Sequence, residues 1–339
     1  MSLDSERPGA ARTEGEIVHE VGGGYQGDTL PQLETMRGSD DEQARLLELG
    51  LQAGAEPVPR SQWWLFRRRF FHHRMAIFSL IVLGILIVLC FGAPLIAPFP
   101  KNDQNLLAID QPPSSAHWMG TDDLGRDELT EILYAGQTSL AIGLSVGFLS
   151  TIVGTAAGAI AGYFGRWRDQ LLMRLTDLFL IVPQLVILAI AIKKFGGTQW
   201  VIAFVLAAVF WMYTARVVRA QVLSIREKEF VEAARASGAS SLRIIWRHII
   251  PNIIGPMMVS ATLAVAAAIV TESSLSFLGF GVQPPETSWG NMLTTAEQQI
   301  GTPQAYLIYF PGMMIFITVI AVNFLGDGLR DAFDPQSKD

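Results

Sequence analysis

Carboxylates are the side chains here with the most to do in apolar surroundings, and three groups of them stand out. Asp122, Asp123 and Asp127 crowd the segment His117-Trp-Met-Gly-Thr-Asp-Asp-Leu-Gly-Arg-Asp127. They could bind calcium, but they lack the ordered ligand spacing of a calcium loop, and turn and cap chemistry leading into a helix from Asp127 to Tyr134 explains them better. Glu272 stands alone near the far end of an apolar run. An ionisable group there is either a pore, gate or proton group, or a carboxylate hydrogen-bonded at the interface beside Thr271 and Ser273. The third group lies in the polar stretch Glu229 to Asn252. Five scattered histidines and the single Cys90 argue against a metal site and allow no internal disulfide. No nucleophile, base and orienting group fall together in one segment. The phosphate loop Gly-x-x-x-x-Gly-Lys-Ser/Thr does not occur, so no catalytic residue is assigned.

The stretch from Glu229 to Asn252 reads as two short helices joined at a glycine. Ser224 and Glu227 have capping-box spacing and predict a helix running to about Ser237. Gly238 can end it in the left-handed conformation, Ser240 or Ser241 can cap the next helix, and Pro251 limits that one. Between two apolar runs, such a pair offers a rigid knob for docking, although an ordinary amphipathic loop shares these features. The spacing of Glu232, Ala233, Ala234, Gly238, His248 and Pro251 resembles the EAA motif in the permease subunits of bacterial ABC importers. The resemblance implies that this loop seats in a groove of an ATPase subunit. Glu232 would make a polar contact there, Ala233 and Ala234 would pack closely, and Gly238 would set the turn.

These residues need elements to carry them. The chain has 339 residues, half of them hydrophobic and 17% charged, with apolar runs of bilayer-crossing length. We expect an all-α integral membrane protein with six transmembrane helices: 75–97, 140–162, 171–192 kinked at Pro183, 200–217, 253–274 and 305–325. Gly143, Gly147, Gly154, Gly158 and Gly162 form small-residue ridges in the second. Residues 1–60, with 12 acidic side chains against 5 Lys/Arg and few aromatics, read as a disordered acidic cytoplasmic tail without a signal peptide, with 40–51 able to form one short helix. Residues 61–97 hold an interfacial aromatic–arginine segment and the first span, and 98–137 a polar extracytoplasmic loop. The core is 138–335, with the docking loop at 224–251.

With the N terminus inside, segments beyond the tail place 16 Lys/Arg on the cytoplasmic side and 4 outside, so both termini and the docking loop face the cytoplasm. The net charge of −6 and the absence of a polybasic pattern speak against nucleic acid as a partner.

Further segments are similar to one branch of the importer permeases, the second ("C") subunits of oligopeptide, dipeptide and nickel importers. They are His117 to Asp127, Ser276-Phe-Leu-Gly279, Trp289-Gly290 and Gly326 to Pro335, where Phe333 departs from the branch's leucine. This resemblance implies a type I importer (MetI-like) core formed by five of the six spans, in a bacterial plasma membrane. It implies a homologous second permease, two ATPase subunits that carry ATP and magnesium, an extracytoplasmic substrate-binding protein, and membrane lipid around them. No cofactor belongs to this chain. Two other readings are a carrier or channel that works without ATP through Glu272, and a scaffold whose acidic tail recruits partners. Neither accounts for the docking loop.

Overall fold

The computed structural model describes residues 62–333, and everything described is helix or loop apart from one isolated bridge between Thr121 and Asp127. The expected tail at 1–60 lies outside the described residues, as does Pro335. Helix α1 (Gln62–His72) and α2 (Arg74–Phe91) are separated at His73, whose ring accepts the Ala76 N–H at 3.1 Å and so caps α2. A single turn, α3 (Ala93–Ile96), follows. Then come α4 (Glu128–Phe164), α5 (Arg166–Ile181), α6 (Gln184–Phe195), α7 (Gln199–Ile225), α8 (Glu229–Ala236), α9 (Ser241–Ile244), α10 (Ile254–Phe277), α11 (Trp289–Thr295) and α12 (Tyr306–Phe333). Five of these, α2, α4, α7, α10 and α12, are long and apolar enough to cross a membrane.

The expected third span breaks at Pro183, the site of the expected kink, but more sharply: it forms two helices, α5 and α6, meeting at 89°. Pro183 has no N–H to give, and its ring drives Val182 into extended backbone (φ −80°, ψ 136°), which ends α5. A count of six spans holds only if this bent pair is taken as one. The second span also differs from expectation. The helix expected at 127–134 does start there, at Glu128, but it runs on without a break into the span as one helix of 37 residues. Gln137, Thr138 and Ser139 look like loop residues but are helical and inward-facing, with Gln137 Nε2 donating to the Cys90 carbonyl at 2.8 Å.

Helix α4 is the axis of the fold, and its glycines serve two neighbours. Gly154, Gly158 and Gly162 lie one turn apart against α7, where a Cβ at Gly158 would stand 2.5 Å from the Ala215 carbonyl oxygen. Gly143 and Gly147 lie against Ile269 and Val265 of α10. Both glycine runs therefore act as ridges for close helix approach, as their spacing predicts. On the other side α12 packs on α2 and α10, and Gly328 touches Ala76. At its end the Phe333 ring stacks on Phe66 of α1 at 4.2 Å.

Replacing Gly158 with alanine should cost about 1–3 kcal/mol, because the added methyl meets backbone that cannot yield. The same change at Gly84 of α2, where a Cβ meets nothing within 4 Å, should be neutral or stabilising by up to about 1 kcal/mol. Thermal unfolding of both variants in mild detergent checks the difference. Equal behaviour would refute the close-packing account.

Candidate functional site

The loop between α7 and α10 is built in layers. Helix α7 continues through Ser224 to Ile225, so the expected capping box does not form: Ser224 is already inside a helix, and its backbone has no first turn to cap. Lys228, with extended backbone, precedes α8 instead and gives it no side-chain cap. Glu229 and Glu232 occupy the first turn of α8, where the helix dipole favours negative charge. The helix closes as expected at Gly238 (φ +78°). The Ala239 N–H donates to the Ala234 carbonyl at 3.1 Å and the Gly238 N–H to the Arg235 carbonyl at 3.0 Å. Together these two bonds make a Schellman closure. Ser240 caps α9 through the Arg243 N–H at 3.4 Å. The chain then widens into a π-helical turn, Ile245–Ile249, and tightens into a 3₁₀ turn, Ile250–Asn252, that holds Pro251.

The buried side of this loop is an apolar cluster of Val231, Ile244, Ile245, Ile249 and Ile253 with Ala159, Val218 and Val222. That cluster fuses the loop to the feet of α4 and α7. Arg226 adds a polar tie, donating to the Gly162 carbonyl at 2.9 Å. Beside it, Arg219 of α7 makes a two-pronged ion pair with Asp169 of α5, one contact at 2.7 Å.

The motif residues are distributed over the outer side. Glu232, Ala233, Gly238 and Pro251 are exposed, whereas Ala234 and His248 are half-buried, Ala234 against the loop's own core. Sequence reading missed three apolar side chains on the same surface: Phe230, Leu242 (66% exposed) and Trp246 (69% exposed). The available signal was amphipathic phase. Each lies one or two residues from an inward residue (Val231, Ile244 or Ile245), about 100–200° around the helix, and so falls outside the buried stripe.

At the opposite end of α10, Glu272 is 0% exposed. Its Oε1 accepts from Ser276 Oγ and Ser288 Oγ, both at 2.7 Å, while Oε2 has no partner. The serines that bind it are not its sequence neighbours. Ser273 donates instead to the Ile269 carbonyl, and Ser288 arrives from the loop before α11. Ser288 also caps α11, accepting the Asn291 N–H at 3.1 Å. The adjoining Trp289 is fully buried. Its backbone N–H donates to Ser139 Oγ at 3.1 Å, and its indole N–H to the Ile132 carbonyl at 3.0 Å.

The His117–Asp127 segment is turn and cap chemistry, as its residue types indicate. Asp127 accepts the Thr130 N–H at 2.9 Å and so caps α4, with His117 Nδ1 2.9 Å away. Asp122 accepts from the backbone N–H groups of Leu124 and Arg126 and from Arg126 Nε at 2.7 Å. Gly120 (φ +83°) and Gly125 (φ +70°) make the turns.

A helical fold with several membrane-crossing helices and a helix–turn–helix knob at one end defines a multi-pass membrane protein, and comparison with known proteins makes the class specific. Residues 154–339 match the family described as binding-protein-dependent transport system inner membrane component, and the chain belongs to that family. Residues 61–113 match the N-terminal transmembrane domain of oligopeptide transport permease C. The oligopeptide transport system permease protein OppC of Mycobacterium tuberculosis (strain H37Rv) is 41% identical over 273 residues, covering 80% of this chain and 94% of that protein. The protein of the same description from Haemophilus influenzae is 39% identical over 281 residues, 82% of this chain and 90% of the other. Among solved structures, the methionine ABC transporter MetNI in an inward-facing conformation superposes with a TM-score of 0.51 at 16% identity. It covers 60% of this chain and 96% of that one, which shows the shared fold of the core.

Ser288→Ala removes both the donor to Glu272 and the cap of α11. It should destabilise the protein by about 1–3 kcal/mol, the cost of leaving buried polar groups unserved. Thermal unfolding in detergent reads this directly, and an unchanged midpoint would show that the Glu272–Ser288 bond contributes nothing.

Proposed function

We propose that this chain forms half of the translocation path of an ATP-driven importer for oligopeptides or dipeptides, and that the loop Glu229–Asn252 is its contact with ATPase subunits. The observation that carries the reading is the construction of that loop. An exposed, Schellman-closed helix stands on a buried apolar cluster shared with α4 and α7. A push on the knob is therefore a push on the membrane helices. The peptide substrate rests on the relatives described as oligopeptide transport permeases.

In this reading the docking loop and both termini lie in the cytoplasm of a bacterial cell, as the excess of Lys/Arg in those segments favours. A homologous second permease completes the path, an extracytoplasmic binding protein delivers substrate, and two partner subunits hydrolyse ATP. Their closing and opening moves the loop. The loop tilts α7, and the cavity alternates between the two sides of the membrane. Glu232 offers the ATPase a charge-assisted hydrogen bond. Ala233 permits close approach, and Phe230, Leu242 and Trp246 supply the apolar contact. Gly238 fixes the angle between the two short helices.

A Cβ at Gly238 meets nothing within 4 Å. Gly238→Leu should thus cost the isolated fold only the left-handed strain, about 1–2 kcal/mol. Affinity purification of the wild-type chain from native membranes should recover a second permease and ATPase subunits. The double variant Glu232→Ala/Gly238→Leu should lose the ATPase subunits, keep the second permease and abolish peptide uptake. A wild-type chain that comes out alone, or a double variant that transports normally, would overturn the assignment.

A further inference from the structure

At the end of the molecule away from the docking loop, the segment around Asn102–Arg126 and the segment around Pro284–Gln299 enclose a cleft of about 470 Å³. That is the size of pockets that hold small ligands. Five carboxylates line it, Asp122, Asp123, Glu128, Glu131 and Glu286, against one cation, Arg126.

Most of these charges are already served. Arg126 pairs with Asp122 at 2.6 Å and approaches Glu131 at 3.8 Å. Glu131 also accepts the Asn102 N–H at 3.0 Å, and Lys101 holds Glu286 at 3.3 Å. Asp123 is exposed at the lip. Glu128 is the exception. It is 2% exposed, lines the cleft, and its Oε1 accepts no hydrogen bond. A buried carboxylate normally has a partner. Glu128 is also surrounded by the carboxylates of Asp122, Glu131 and Asp127 with Arg126 as the one cation beside it, so the cluster carries an excess of acidic groups. The site is therefore set up for a positive charge that the chain itself does not supply.

The geometry points to a binding site for a small solute that carries a primary ammonium or guanidinium group on an aliphatic stem. We propose that the cationic head sits at Glu128, with Glu131 and Asp122 behind it, and that the stem lies along Pro284, Met292 and Leu307. A metal ion fits less well, since no trio of acidic, histidine or cysteine side chains among the described residues is arranged to hold one. The apolar wall would also serve a metal no purpose. This inference does not depend on how the docking loop is used.

The test is saturation-transfer NMR on the full-length chain in phosphatidylcholine nanodiscs, with empty nanodiscs as background. Nα-acetyl-lysine amide is the probe, and Nα-acetyl-norleucine amide its uncharged counterpart. The lysine probe should give a saturable signal and the norleucine probe none. Glu128→Gln should remove the difference between them while the thermal midpoint is retained. Should that variant fail to fold, the lip variant Asp123→Asn/Glu286→Gln should weaken lysine binding about two- to fivefold, as expected for exposed charges. Equal signals from the two probes, or a lysine signal unaffected in every folded variant, would overturn the proposal. So would a site that answers only to a basic protein added to the nanodiscs and not to the free probe.

Discussion

The backbone contact between α4 and its neighbours is what the rest of the structure depends on. In a bilayer the lipid tails are as apolar as leucine, so burying apolar surface does little to bring helices together. Attraction must come from dispersion at close range and from weak Cα–H···O contacts, and both need the backbones to approach. Gly154, Gly158 and Gly162 give α7 that approach, and Gly143 and Gly147 give it to α10. The two runs are separated by seven residues from Gly147 to Gly154, about two turns, so a single helix presents small surfaces to two partners. With α4 fixed, α7 and α10 are fixed, and they carry the Glu229–Asn252 loop between them.

Each end of this framework is closed by different chemistry. At the docking end an apolar cluster does the work, topped by a knob whose outer surface keeps Phe230, Leu242 and Trp246 uncovered. At the other end an apolar cluster of Cys90, Ile132, Leu140, Trp289 and Met292 is joined by buried polar ties: Glu272 gathers Ser276 and Ser288, Trp289 is held by α4 at both of its N–H groups, and Asp127 caps α4. Apolar packing tolerates small tilts because dispersion is not directional. Hydrogen bonds to a buried carboxylate tolerate less.

The apolar spans and the helix–glycine–helix form of the loop between α7 and α10 were legible in the sequence because each has a local cause. A run of leucine, isoleucine and valine needs only its own length to be recognised, and Gly238 needs only the helix before it. What was illegible depended on distant partners. Gln137 and Ser139 look like loop residues until Cys90 and Trp289 are seen to use them. The partner Ser288 lies 16 residues from Glu272, with nothing local to announce it. Ser224 and Glu227 have the spacing of a capping box, but α7 extends past Ser224 on the strength of its packing against α4, and tertiary contact overrode the local signal. The apolar knobs of the loop were readable by phase, yet the motif spacing drew attention to its small residues instead.

The bent pair α5–α6 follows from the same balance. Helix α5 holds Arg166, Arg168, Asp169, Arg174 and Asp177 within 16 residues, too many charges to cross hydrocarbon cheaply. Its acidic residues pair with α7, Asp169 with Arg219 and Asp177 with Arg216, so the polar half is tied to the fold by ion pairs. Helix α6 instead buries Leu188 and Ile192 in the apolar core shared with α4, α7 and α10. One straight helix could not satisfy both halves, since the direction that suits the charged half would carry it into lipid. Pro183 sits at the change of character. By withholding one N–H and forcing Val182 into extended backbone, it lets each half take the direction its own composition requires.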